Sequence, residues 1–458
     1  MSTLARWLES AARRSPATPA LITQQECWTY ADMAALSATG GAALRAQGLC
    51  ASDIAAIAGG ASELALAAMA CAAANLALLP LDPQGADLRW PALQAMGDSR
   101  MKRAALPPTT AQSAYNLLTT SAPAPADPAL VIATSGSEGA PKAVMLTHAN
   151  LDAAASASNE RLPLLPGDIW LDCLPLHHIG GISILYRCMR AGATVLLHEG
   201  FAADAVWQAL QQHPVTHISL VPAMLARLLD EAGDAPPPAS LRYALVGGAA
   251  LSKSLFERAW SAGWPICPTW GMSECAAQAA TLLRPGGNWQ EGEVGTLLRG
   301  FAARTGADGR IHLRGPQVMA GYLNPGCLPG PGLDDGWLVT ADLGRIDACG
   351  QITILGRADD VFISGGVNVH PLEVESQLAA CPGVSDVAVT ALADPVWGDA
   401  LVVLVVGSAD DAAIRDWSRR HLASALRPRH IVHLGSLPRN AMGKIERSAL
   451  RAIAGAAT

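Results

Sequence analysis

The chain has 458 residues and a net charge of −7, with half of its residues hydrophobic and 16% charged. Such a length holds roughly two to four folding units of about 100–200 residues, with cores large enough to need no disulfide or metal staple. The mild acidity, with no basic run, excludes nucleic acid as a main partner, and ten scattered cysteines without a C-x-x-C pair read as small core residues in a reducing, cytoplasmic setting.

Met1 to Arg14 reads as a short amphipathic helix rather than a signal peptide, since it carries Glu9 and three arginines. Met33 to Gly48 repeats apolar residues at helical spacing and stops on glycine. The Ala- and Leu-rich stretch from Ala55 to Pro80 is broken by Gly59-Gly60 and interrupted by Glu63 and Asn75. It predicts a strand, a buried helix over Ser62 to Ala74 and a second strand closed by Pro80, and no transmembrane segment. Leu106 to Pro128, rich in Pro, Ala, Thr and Ser, reads as a connection.

Ala129 to Ala133 is an apolar run of strand length, followed by Thr134-Ser135-Gly136-Ser137-Glu138-Gly139-Ala140-Pro141-Lys142. Glycines let backbone N–H groups turn toward an anion, and hydroxyls and a lysine add donors and charge. This is the composition of a polyphosphate cradle, although the lysine spacing is not that of the P-loop.

Strand-like Asp168 to Leu174 leads into Pro175-Leu176-His177-His178-Ile179-Gly180-Gly181, then a helix over Ile182 to Arg190 and a strand over Ala193 to His198. Thr216 to Val221 and Leu241 to Val246 are further strands, the latter ending in Gly247-Gly248-Ala249. Alternating strands and helices predict an α/β fold of mostly parallel sheet, with ligands beyond the carboxyl ends of its strands, where the loops at 134, 177, 247 and 270 fall. From about Val294, short strands and Gly-rich turns predict a β-rich subdomain. Past Arg357, a helix over Pro371 to Ala380, strands over Val384 to Val389 and Leu401 to Val406, and a helix from Asp411 predict a small α+β domain. The boundary falls between a unit spanning 1–356 and one spanning 357–458.

Five further stretches complete the pattern: Thr269-Trp270-Gly271-Met272-Ser273-Glu274, Gly336 to Asp342, Gly356-Arg357-Ala358-Asp359-Asp360, Ser364-Gly365-Gly366 and Pro438-Arg439-Asn440-Ala441-Met442-Gly443-Lys444. In this order and spacing the chain resembles the adenylate-forming superfamily of acyl-CoA synthetases, adenylation domains and luciferases, from about Thr29 to Arg447. The resemblance implies a large N-terminal AMP-binding domain and a small mobile C-terminal one. It also implies a two-step reaction, in which a carboxylate and ATP give an acyl-adenylate and a thiol, coenzyme A, then displaces AMP.

By the same resemblance, Thr134, Ser135, Gly136, Ser137, Gly139 and Lys142 hold the β- and γ-phosphates, and Ser273 donates to the α-phosphate. Glu274 holds Mg²⁺, Trp270 stacks on adenine beside Gly247, Gly248, Ala249 and Gly271, and Asp342 and Arg357 fix the ribose. Lys444 reaches the α-phosphate, His178 lies near the carboxylate, Asp359 is the hinge, and Ser364, Gly365 and Gly366 line the thiol tunnel. The sequence departs from the family at Glu138, where Thr or Ser is usual and a carboxylate beside phosphates is repulsive, and more mildly at Ala341 and Trp270.

The histidines at 177–178 replace the aspartate that amino-acid-activating relatives use, and fourteen residues follow Lys444. A CoA ligase is therefore expected rather than a module loading a carrier protein. Leu174 to Arg187 is most similar to the subgroup of ligases acting on 2-succinylbenzoate in menaquinone biosynthesis, with Arg187 suited to a second carboxylate of the acid. Benzoate- or coumarate-type aryl-CoA ligases, an enzyme loading a separate carrier protein and a non-catalytic nucleotide-binding homologue are the alternatives. The oligomeric state, a homo-oligomer included, is open.

Overall fold

The structure, a computed structural model, describes residues 2–83, 86–96, 100–106, 127–134, 142–364, 366–394, 397–440 and 443–457. It holds three sheets. In the six-stranded sheet, Met101–Arg103, Ile54–Ala58, Ala77–Leu81 and Pro128–Thr134 run parallel, and Lys142–Thr147 and Gly321–Tyr322 add antiparallel to its edge. The Ala-rich stretch folds as expected into strand, helix Ala61–Ala74 and strand. Pro80 does not close its strand but lies inside it. Its missing N–H costs no ladder bond to Pro128–Thr134, because pairing on that side is confined to Leu78 and Leu130. Among the described residues no helix is long and apolar enough to cross a membrane.

The thirteen-stranded sheet carries the middle of the chain. Thr194–Leu197, Ile169–Asp172, His217–Leu220, Tyr243–Val246 and Ile266–Trp270 lie side by side and parallel. These strands are buried almost throughout, as a parallel sheet covered on both faces requires. Pro19–Ile22 and Cys27–Thr29, which the apolar pattern alone did not mark as strands, extend one edge. At the other edge the sheet turns antiparallel through Ala280–Thr281 and continues through Glu293–Leu297, Gln351–Arg357, Leu338–Ile346, Arg310–Arg314 and Ala302–Thr305. The β-rich stretch predicted from Val294 is therefore an extension of this sheet.

The last sheet pairs Val367–Val369, Phe362–Ser364, Gly398–Gly407 and Val384–Asp394, with His430–His433 parallel to Gly398–Gly407. Helices Pro371–Ala379, Asp411–His421 and Arg447–Ala457 accompany it. Its cores draw on residues from Phe362 onward.

Caps fix two helix starts, one from a local residue and one from a residue far along the chain. Thr29 caps helix Tyr30–Ala46 in a reciprocal box with Asp32, which sets its start three residues before Met33. Glu199 crosses from the large sheet to the first turn of helix Ala61–Ala74, accepting from the N–H groups of Ala61 (2.7 Å) and Ser62 (3.0 Å) and from the Ser62 hydroxyl. Burial pushes its pKa up, but these bonds together outweigh that and hold it below the ordinary value. A depressed carboxyl contributes stability that is present above its unfolded-state value and lost as pH falls through the folded one. Glu199→Gln is therefore expected to cost about 1 kcal/mol at neutral pH, given the exposure of the group. The difference between the two proteins' denaturant midpoints should shrink as pH drops below the carboxylate range.

Candidate active site

The two edges of the phosphate-loop candidate face each other. Thr134 pairs with Lys142 at the end of an antiparallel hairpin, and its hydroxyl donates to the Lys142 carbonyl at 3.3 Å. Ser135, Gly136, Ser137, Glu138 and Gly139 lie outside the described residues. Lys142 Nζ stands 5.4 Å from the centre of the Tyr322 ring, and the Tyr322 hydroxyl donates to Glu274 Oε1 at 2.9 Å. Burial and the adjacent Glu274 push the Tyr322 phenol up, so it stays a donor. Tyr322 thus links the lysine after the loop to the predicted metal carboxylate. The sequence reading missed it, and only the dipeptide Gly321-Tyr322 on an edge strand hinted at it.

Glu274 lies in the 3₁₀ turn Ser273–Cys275, just past strand Ile266–Trp270. Gly271 admits no other residue there, since a Cβ would run into the carbonyl oxygen of Ala277. Trp270 is largely buried, and its indole N–H donates to Asp342 Oδ2 at 2.8 Å. Asp342 is the cross-strand neighbour of Arg357, with Arg357 Nη1 3.7 Å from its Oδ1. Burial pushes Asp342 up, against the pull of Trp270, Arg357 and Lys444. The Arg357 guanidinium is committed mainly to the predicted hinge, with Nε 2.9 Å and Nη2 2.6 Å from the two oxygens of Asp359. A cation is thus shared between the predicted ribose carboxylate and the hinge.

Lys444 joins this group from the far end of the chain. Gly248 has φ +77°, and a Cβ there would lie 3.8 Å from Lys444 Cε. Although the lysine retains solvent access, the surrounding protein and Arg357 lower its pKa, while Asp342 and Glu274 raise it. Asn440 bonds Lys444 twice, N–H to carbonyl at 2.9 Å and side-chain oxygen to N–H at 3.1 Å, and Arg439 donates to the Gly443 carbonyl at 2.8 Å while gripping Asp386.

A second cluster lies along the same sheet. His178 is the N-cap of helix Ile179–Ala191, half-buried, with its ring 4.5 Å from that of His177. The helix begins three residues before the predicted Ile182 because Ile179 already packs into the core. Arg187 is 5% exposed, and among the described residues its guanidinium has no hydrogen-bond partner. It lies 5.2 Å from the Trp170 ring centre, and Asp172, wholly buried, is near enough to act on its charge. Burial lowers Arg187 to about 10 and pushes Asp172 well up, so the arginine remains a cation at neutral pH.

The thiol-tunnel candidates take no part in either cluster. Ser364 is fully buried in the last sheet opposite Val367 and Gly398, with its hydroxyl unpartnered among the described residues. Gly366 is exposed at φ +79°, and Gly365 lies outside the described residues.

With this geometry in place, comparison with known proteins is direct. Residues 91–323 match the AMP-binding enzyme family, and residues 373–444 match the AMP-binding enzyme C-terminal domain. The chain is 36% identical to 2-succinylbenzoate–CoA ligase of Bacillus mycoides over 332 residues, covering 70% of this chain and 69% of the relative. The O-succinylbenzoate coenzyme A synthetase of Bacillus subtilis in complex with ATP and magnesium ion superposes with a TM-score of 0.85 at 30% identity, covering 97% and 98% of the two chains. A double mutant of the B. subtilis synthetase bound to a product analogue, at the same identity and coverage, gives a TM-score of 0.70. The chain therefore superposes better on the ATP- and magnesium-bound structure than on the product-analogue-bound double mutant. By the extent of these matches and the order of its motifs, the chain belongs to the AMP-binding enzyme family.

Proposed function

We propose that the protein is an ATP-dependent acid–CoA ligase that adenylates an aryl dicarboxylic acid, 2-succinylbenzoate being the best match, and transfers the acyl group to coenzyme A. The observation that carries the first half is Lys444, which approaches Gly248 and acts electrostatically on Asp342 and Glu274. A cation there is placed to offset charge building on the α-phosphate as a carboxylate oxygen attacks phosphorus and pyrophosphate leaves. The Thr134–Lys142 loop and Ser273 bind phosphates in this reading. Trp270 and the glycines at 247, 248 and 271 border adenine with Ala249, while Asp342 and Arg357 take the ribose.

Glu274 fits Mg²⁺ as a hard carboxylate with one oxygen held by Tyr322. An ion held by one protein carboxylate would be carried mostly by the substrate phosphates. Bound there, Mg²⁺ supplies positive charge to the phosphoryl oxygens.

The second half needs coenzyme A sulfur to attack the acyl carbon and expel AMP. We assign residues 357–458 to a mobile unit that turns at Asp359, withdraws Lys444 and brings Ser364 to Gly366 to the thiol path. The acid choice rests on His178 and on Arg187, a buried cation with free donors that a second carboxylate would satisfy. The names of the B. mycoides and B. subtilis relatives support that choice. A cytoplasmic location, where ATP and coenzyme A are both available, goes with this reading.

The test is pyrophosphate release with 2-succinylbenzoate, benzoate, coumarate and an amino acid, each with and without coenzyme A. We expect much faster release with 2-succinylbenzoate than with benzoate or coumarate, none with the amino acid, and acyl-CoA once coenzyme A is added. Equal release with benzoate or coumarate would replace the reading by an aryl-CoA ligase, and none with any acid by a non-catalytic nucleotide binder.

A further inference from the structure

Trp170 and Asp172 are two apart on strand Ile169–Asp172 and so face the same side of the sheet. Parallel register sets His217 directly beside Trp170, and Tyr243 directly beside His217. Their rings form a ladder across three strands. Trp170 and His217 stack at 4.8 Å with 23° between planes, and His217 and Tyr243 follow at 5.0 Å. The indole is pinned at its edge, since Nε1 donates to the Ser219 hydroxyl at 3.2 Å. Arg187 contributes the ladder's last member, 5.2 Å from the Trp170 ring centre and inside the range where a cation is drawn to an aromatic face. Nothing in the adenylation chemistry uses these three rings.

We infer that the ladder Tyr243–His217–Trp170 is a positioning device for Arg187, holding its guanidinium at one orientation so that the acid pocket selects substrates with a second anionic group. This rests on the reading of Arg187 as the acid-binding cation. A buried arginine with no hydrogen-bond partner among the described residues has five donors and several rotatable bonds. Without a fixed surface, a carboxylate would have to order it at the cost of affinity. The indole face removes that disorder and leaves the donors free. His217 must be neutral for this, since a second cation behind the indole would oppose Arg187. Burial, reinforced by Arg242 and Arg187 and opposed by Asp168, keeps it so by lowering its pKa to about 3. The imidazole is further fixed by Nδ1, 2.8 Å from the Thr216 hydroxyl.

The experiment compares Trp170→Leu, Trp170→Phe and Arg187→Met in the full-length protein, measuring KM for 2-succinylbenzoate, for benzoate and for ATP. Trp170→Leu is expected to raise KM for the dicarboxylate about tenfold, and Trp170→Phe about threefold, following the weaker cation attraction of each side chain. KM for ATP and for benzoate should stay put, so selectivity for the second carboxylate falls by the same factor. In an Arg187→Met background Trp170→Leu should have no further effect on that selectivity. Unchanged selectivity in Trp170→Leu, or an equal loss for benzoate and the dicarboxylate, overturns the positioning role. If Arg187→Met itself leaves the preference intact, the reading of Arg187 fails instead. Should Trp170→Leu not fold, Trp170→Phe carries the same comparison with a smaller shift.

Discussion

Lys444→Ala is expected to slow acyl-adenylate formation about 10²–10³-fold, the usual loss when one preorganised charge is removed from a transition state. Thioester formation from a supplied acyl-adenylate should stay within about threefold of the parent, because in the proposed cycle the lysine serves only the first of the two chemical steps. The loss corresponds to roughly 3–4 kcal/mol of transition-state stabilisation. Geometry supports the asymmetry. Asn440 holds the Lys444 N–H, and Arg439, anchored on Asp386, holds the Gly443 carbonyl, so in the proposed domain movement the lysine would go with residues 357–458. Its lowered pKa, caused first by partial desolvation among the surrounding protein groups and then by Arg357, means that adenylation should fall on the alkaline side at a lower pH than an ordinary lysine would dictate. Single-turnover pyrophosphate release and AMP release from pre-formed adenylate separate the steps. Equal losses in both would remove Lys444 from its role.

Why so much of this site could be read in advance, and some not, follows from where each contact is encoded. Trp270 and Arg357 end their strands and Glu274 lies in the turn just past one, and the local alternation of strand and turn marks such places without knowledge of the fold; Asp342 instead lies inside strand Leu338–Ile346, where the motif and not a strand end pointed to it. The hairpin that returns through Lys142–Thr147 was not marked, because Ala143 to Leu146 is as apolar as a buried parallel strand. The ladder was hidden for a different reason. Trp170, His217 and Tyr243 meet only through inter-strand register, which no one segment specifies. Yet one signal was present. Residues 181–189, glycine and Arg187 included, are buried throughout, and a helix apolar all round has no solvent face to offer an arginine. The burial of Arg187 was legible there, while its stacking partner was not. Tyr322 likewise reaches Glu274 from an edge strand whose pairing with Lys142–Thr147 is a tertiary fact.

Arg187→Met should lower kcat/KM for 2-succinylbenzoate about 10²-fold or more, since truncating one partner of a buried, hydrogen-bonded charge pair costs roughly 2–5 kcal/mol. Most of that loss is the penalty of leaving the substrate's second carboxylate in a pocket that no longer answers it. A monocarboxylate such as benzoate brings no such group and should react at close to its parent rate, so the preference between the two acids collapses. The folded protein responds in the opposite sense. A guanidinium that is 5% exposed and has no hydrogen-bond partner among the described residues is costly to bury, and methionine fills much of its volume without a charge. The thermal midpoint of the free enzyme should therefore hold or rise, while the increase in midpoint that 2-succinylbenzoate produces should shrink. Asp172 loses its nearby cation in the same change, and burial then favours its protonated form still more strongly. A free-enzyme midpoint that drops by many degrees would mark Arg187 as a structural cation serving Asp172, and a preserved dicarboxylate preference would place the acid elsewhere.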